Sequence, residues 1–121
     1  MNAPTKPCAV CGRTIEWRRK WKDNWPAVKY CSKRCRGLRL GEVDEALEVA
    51  ILDLLDARAR GATISPPEAA RQVRPEDWQD WGERTRMAAR RLVAGGKVEI
   101  VQRGRVVDGS TAKGPILIRL C

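Results

Sequence analysis

Four cysteines in two short pairs, Cys8-x-x-Cys11 and Cys31-x-x-x-Cys35, stand in the first third of this chain, and its 121 residues contain no histidine. A segment of about forty residues buries too little apolar surface to fold without a staple. Each pair can chelate from one local turn, so four thiolates around one Zn²⁺ would supply that staple, with an apparent stabilisation of ~10–16 kcal/mol in structural sites. Gly12 lets the backbone turn tightly after Cys11, and Ser32 is placed to cap a short helix carrying Cys35. Two disulfides, four unrelated thiols and an all-thiolate iron site are the competing readings. The N-terminal residues lack the apolar stretch of an export signal, and no apolar run approaches the ~20 residues of a membrane span. The expected compartment is therefore a reducing cytoplasm, where paired cysteines more often hold metal than form disulfides. A zinc held by four protein ligands has no open position, so the site reads as structural.

The missing histidine also narrows the chemistry. It removes Ser-His and Cys-His nucleophile pairs and a His general base. No glycine-rich phosphate loop follows a strand pattern, and no pair of carboxylates marks a cleft, so no enzyme activity and no small-molecule substrate are expected.

The charge is distributed in blocks. Residues 1–41 carry 11 Lys+Arg against 2 Asp+Glu, whereas residues 42–121 carry 13 of each. That step in composition places a domain boundary at Gly41, giving domains 1–41 and 42–121. A basic block concentrates polyanions by long-range attraction. Between the cysteine pairs, Trp17, Trp21 and Trp25 interleave with Arg18, Arg19, Lys20, Lys22 and Lys29. This pattern fits a stacking platform for bases on a basic strip, or the core of a mini-domain with few other large apolar groups. The spacing of four would put the three Trp on one helix face, and a hairpin turning near Asp23-Asn24 is equally open.

The cysteine segment has a recognisable form. Cys8-x-x-Cys11-Gly12-Arg13, then Trp17-Arg18-Arg19-Lys20-Trp21 and Trp25, then Val28-Lys29-Tyr30-Cys31-Ser32-x-x-Cys35-Arg36 resembles a bacterial family catalogued as domain of unknown function 2256. The resemblance covers about residues 5–37. It implies a treble-clef-type zinc finger, made of a knuckle, a hairpin and a helix with the last two cysteines. It also implies zinc on Cys8, Cys11, Cys31 and Cys35, and no activity.

Downstream, Val43, Ala46, Leu47, Ala50, Ile51, Leu54 and Leu55 form a helical stripe that predicts a helix over 43–59. Ser65-Pro66-Pro67-Glu68 is a capping box opening a second helix that stops before Pro75. A third helix fits residues 80–94, closed by Gly95-Gly96. Residues 97–102 and 115–120 alternate as strands, joined through Arg103-Gly104-Arg105 and a loop over 108–114 expected to be a mobile tip. Three helices followed by a hairpin is the order of a winged helix-turn-helix domain, whose third helix enters a nucleic-acid groove. On a helical wheel Trp81, Thr85, Ala88 and Leu92 face the core. Arg84, Arg86, Arg90 and Arg91 fall on the opposite, solvent half beside Glu83 and Met87, poised for phosphate or base contacts with Arg105 on the wing.

Ser65-Pro66-Pro67-Glu68-Ala69-Ala70-Arg71, Arg86-Met87-Ala88-Ala89-Arg90-Arg91-Leu92, Gly104-Arg105-Val106-Val107 and Lys113-Gly114-Pro115 resemble a second bacterial family, domain of unknown function 3253, over about residues 45–120. The resemblance implies a winged-helix-like fold without enzyme activity. The expected whole is a small α+β protein: a treble-clef-like Cys₄ zinc finger followed by a winged helix-turn-helix domain. Its expected role is binding DNA or RNA, and a protein-interaction adaptor with structural zinc is the competing role.

Overall fold

The structure, a computed structural model, describes residues 3–121. It opens with a small antiparallel hairpin of β1 (Thr5–Pro7) and β2 (Thr14–Glu16), in which Thr5 faces Glu16 and Pro7 faces Thr14. The turn between them, residues 8–13, is the first cysteine knuckle. It is closed by Cys8 N–H donating to the Arg13 carbonyl at 2.7 Å and Gly12 N–H donating to the Cys8 carbonyl at 3.0 Å. The hairpin therefore flanks the knuckle rather than following it.

The tryptophan segment is neither a helix nor a hairpin. It folds as two 3₁₀ turns, Arg19–Trp21 and Trp25–Ala27. Pro26 lacks the N–H that a continuous helix through Trp25 would need. Lys6 then pins the segment, donating to the Trp25 and Val28 carbonyls at 2.6 and 3.0 Å. Helix α1 (Lys33–Gly37) carries Cys35, and the Ser32 hydroxyl accepts its N–H at 3.3 Å, as the cap pattern predicts.

Gly41 precedes α2 (Glu42–Asp56), after which come β3 (Thr63–Ile64), α3 (Pro66–Val73), a 3₁₀ turn at Trp78–Trp81 and α4 (Gly82–Ala94). Strands β4 (Val98–Gln102), β5 (Arg105–Val107) and β6 (Leu117–Leu120) complete an antiparallel sheet of order β3-β6-β4-β5. Helix α2 ends three residues before the predicted end, because Arg58 turns aside to the Thr63 carbonyl and the Glu68 carboxylate. The capping box of α3 forms as read, with Ser65 N–H donating to Glu68 at 2.7 Å. Arg103 and Gly104 have φ of 52° and 77°, the type I′ turn that a two-residue hairpin favours.

One core joins α2, α3, α4 and the sheet, through Leu47 and Ile51, Ala69 and Ala70, Ala88 and Leu92, and Val98, Ile100 and Ile118. Alanines at the α3–α4 contact let the two helices approach closely. Trp78 and Trp81 pack at the edge of this core, half-buried. The chain is thus a small mixed α/β protein with its four paired cysteines gathered at the N-terminal end. Among the described residues no helix is long and apolar enough to cross a membrane.

The N-terminal unit lies against α4. Met87 joins the buried cluster of Cys8, Val10, Cys11, Ile15 and Cys35. Four successive residues of α4, Met87 to Arg90, are buried, so the helix has no solvent side at that point. The loop after β5 is anchored as well. Asp108 caps it by accepting Ser110 N–H, and the Ser110 hydroxyl accepts Thr14 N–H at 2.8 Å. The expected mobile tip is therefore docked on the first hairpin.

Candidate metal centre and the basic face

The knuckle brings Cys8 and Cys11 to one side of a point in space, and the start of α1 brings Cys31 and Cys35 to the other. Their four sulfurs lie within 4.8 Å of one another, and none is joined in a disulfide. Cys31 Sγ stands 3.6 Å from both Cys11 Sγ and Cys35 Sγ. Tetrahedral thiolate coordination at about 2.3 Å per bond separates sulfurs by about 3.8 Å, so the four fit one small ion. Cys8, Cys11 and Cys35 are buried, and Cys31 is the most accessible of the four.

The thiols differ in acidity. Burial pushes the Cys8 thiol up, but backbone bonds from Cys11, Cys31 and Val10 outweigh it and hold it down at about 6. Burial carries Cys11 up to about 12, assisted by its sulfur neighbours. Burial and the adjacent sulfurs also raise Cys35. Cys8 therefore loses its proton before Cys11 and Cys35 do. A divalent ion would displace the remaining protons, which makes its binding pH-dependent.

The floor of the site is tied to α4. Arg90, only 4 % exposed, donates from Nε to the Cys11 carbonyl and from Nη2 to Glu83 at 2.8 Å. Arg91 donates to the Val10 carbonyl at 2.7 Å and to Glu48 at 3.0 Å. Gly12, at φ +76°, sits against the helix, and a Cβ there would lie 2.5 Å from the Arg90 Cβ and 2.6 Å from its carbonyl carbon. Both the left-handed backbone and the close approach demand glycine. Gly12→Ala is therefore expected to lower stability by more than the ~1–2 kcal/mol of the backbone conformation alone, with hydrogen exchange rising at the α4 amides around Arg90. Unchanged exchange there would refute the close packing.

The arginines read from the helical wheel need correction. Arg90 and Arg91 do not face solvent but clasp the knuckle. Arg84 makes a bidentate pair with buried Asp44, 2.7 Å from Nε to Oδ1. Arg86 is half-buried and donates to the Gly114 carbonyl at 3.1 Å. The wheel cannot see that the N-terminal unit covers Arg90 and Arg91, that α2 takes Arg84 and that the loop before β6 takes Arg86. Arg105 does lie exposed, next to the β4–β5 turn.

The cations of the N-terminal unit behave differently. Arg18, Arg19, Lys20, Lys22 and Lys29 are exposed, as are Arg13, Lys33, Arg34, Arg36 and Arg39. Every ion pair among the described residues lies after Gly41. Arg18 and Lys20 stand 5.9 and 4.9 Å from the Trp21 ring, and Trp21 and Trp25 lie tilted with centroids 5.9 Å apart. Trp21, Trp25 and Tyr30 pack half-buried on the cysteine cluster. They are thus part core and part surface.

Residues 1–37 match the family described as an uncharacterized protein conserved in bacteria (DUF2256). No curated protein matches the chain. Residues 44–121, which run from the first turn of α2 through the clasped helix and the sheet, match a family described as a protein of unknown function (DUF3253), to which this chain therefore belongs.

Proposed function

We propose that the protein is a non-enzymatic nucleic-acid-binding protein. In this reading Cys8, Cys11, Cys31 and Cys35 hold a structural Zn²⁺, and the basic face around them supplies the grip. An all-sulfur donor set without histidine favours zinc, and four protein ligands leave no position for substrate. The order α2, β3, α3, α4, β4, β6 supports reading residues 42–121 as a winged-helix unit, with residues 1–41 as a second unit clamped upon it. The observation that carries the function is the uncompensated charge. Ten cations of residues 13–39 are exposed, and none of them forms an ion pair among the described residues. Since α4 is covered, we place the main contact on the N-terminal unit and not on the third helix.

Binding to duplex DNA through about five phosphates would give a slope of log K against log[salt] near −4.5. The triple variant Arg19→Gln, Lys22→Gln, Lys33→Gln is expected to flatten it by about 2 to 3. All three side chains are exposed, so the fold should persist. If the intact protein binds neither DNA nor RNA at ~10 mM salt, where screening is weak, the proposal fails.

One observation favours the adaptor reading in that event. Val101, Val107, Ile116 and Leu117 line a groove beside β5 together with Arg103, Arg105 and Lys113, a surface suited to an acidic, apolar protein segment.

A further inference from the structure

The tryptophan segment does more than add charge. Trp21 stands between two clefts. On one side lie Arg18, Lys20 and Glu16. On the other, a cleft of about 250 Å³ is lined by Trp21, Tyr30, Asn24, Lys29 and Arg36, with no carboxylate. Its two aromatic rings are the half-buried ones that pack on the cysteine cluster, so their positions are set from beneath. The backbone around Tyr30 is also held. The Lys29 carbonyl accepts Ala9 N–H at 2.9 Å, and Cys31 N–H donates to Cys8 Sγ at 3.4 Å. Asn24 N–H donates to the Trp21 carbonyl at 3.1 Å, which fixes the opposite wall.

We propose that this cleft takes one unpaired nucleobase in contact with both Trp21 and Tyr30, while Lys29 and Arg36 hold the flanking phosphates. The preferred ligand is then single-stranded nucleic acid. The inference rests on the nucleic-acid reading above and narrows it. Each element has a chemical reason. Every base has a π-face that stacks on an aromatic ring whatever its identity, and a basic rim follows the backbone. Asn24 offers a donor and an acceptor to a base edge. A base inside a duplex is stacked between its neighbours and cannot enter a side cleft without being unpaired and extruded. The groove beside β5 has cations but no aromatic ring, so it lacks the stacking half of such a site.

The test uses the metal-replete full chain, with a fluorescent 20-mer of thymidylate and a 20-base-pair duplex as probes, followed by anisotropy. The single strand is expected to bind at least tenfold more tightly than the duplex at ~0.1 M salt. Trp21→Leu and Tyr30→Leu should each weaken the single strand roughly tenfold and leave the duplex within about twofold. Trp21→Phe, which keeps a ring, should bind like the parent. Metal content per chain checks that each variant is folded.

If Trp21→Leu loses its metal, Tyr30→Leu and Trp21→Phe decide. A tenfold loss in the first with parental binding in the second supports the cleft, and parental binding in Tyr30→Leu overturns it. Equal binding of both probes with the steep salt dependence intact also overturns the cleft, while the wider nucleic-acid reading stands. Failure of both probes to bind overturns the cleft, and the wider reading falls with it if RNA also fails to bind at ~10 mM salt.

Discussion

Cys11→Ser is expected to unfold the N-terminal unit and to weaken α4 with it. A structural zinc contributes ~10–16 kcal/mol in small finger peptides, as much as the whole stability of a typical domain. The regular structure of residues 3–40 is two strands of three residues, two 3₁₀ turns and one helix of five, which is too little to persist without the cluster. The loss does not stop at Gly41. The Cys11 and Val10 carbonyls are acceptors for Arg90 and Arg91, and Met87 is covered by the knuckle. Their release would leave a buried-type arginine and a methionine facing water on α4. The variant should contain no zinc by elemental analysis, lose exchange protection over the knuckle, and show a lowered melting point for residues 42–121. A Cys11→Ser protein that melts like its parent would rule out the staple. Cys31→Ser, at the most accessible ligand, should follow the same course with a smaller loss of packing.

Asp44→Ala is expected to be the most damaging substitution outside the cysteines, at about 3–5 kcal/mol. Asp44 is 2 % exposed. It accepts Gly41 N–H at 2.8 Å at the start of α2, and it takes both arms of Arg84. Removing it leaves a partly buried guanidinium with the Trp81 ring beside it but without its carboxylate. Replacing Asp44 and Arg84 together by Leu and Met should recover much of the loss, because an apolar pair leaves no uncompensated charge. Urea unfolding of the two single variants and the double variant gives the coupling. A near-zero coupling would show that the pair is incidental.

The same contact fixes an acid response. Burial pushes the Asp44 carboxyl up, but Arg84 and the Gly41 N–H outweigh it and hold it below the usual carboxylate range. A lowered native pKa means stability that is complete above the unfolded value of about 3.9 and is lost as pH falls through the native value. Asp44→Asn should remove that part of the acid-unfolding curve.

Local chemistry was legible in the sequence wherever one short stretch decides the outcome. Cysteine spacing, the Ser32 cap and the Ser65–Glu68 box all follow from residues within five positions of one another, whereas the Arg103-Gly104 turn and the short strand after it emerged only in the structure. What could not be read was which surface covers which. A helical wheel assigns Arg90 and Arg91 to one face of α4, but whether that face meets water depends on a knuckle some eighty residues away. One sign was present. Met87, Ala88 and Ala89 run together in mid-helix, and a helix with a single wet side would place a polar residue among them. The tryptophan segment misled for a different reason. Its spacing of four satisfies a helix, yet Pro26 and the Lys6 hydrogen bonds impose 3₁₀ turns that the spacing does not encode.

The Gly12–Arg90 contact makes metal affinity and the folding of the second unit two readings of one equilibrium. Linkage is reciprocal: if a bound ion stabilises α4 through the Cys11 carbonyl, a change in α4 that loosens Arg90 must weaken the ion by the same factor. A competition titration with a colorimetric chelator therefore measures, through a site of four sulfurs, how well a helix with no metal ligand is packed. A side chain added at position 12 and a shift of the α4 backbone at Arg90 would thus be felt by the same four sulfurs.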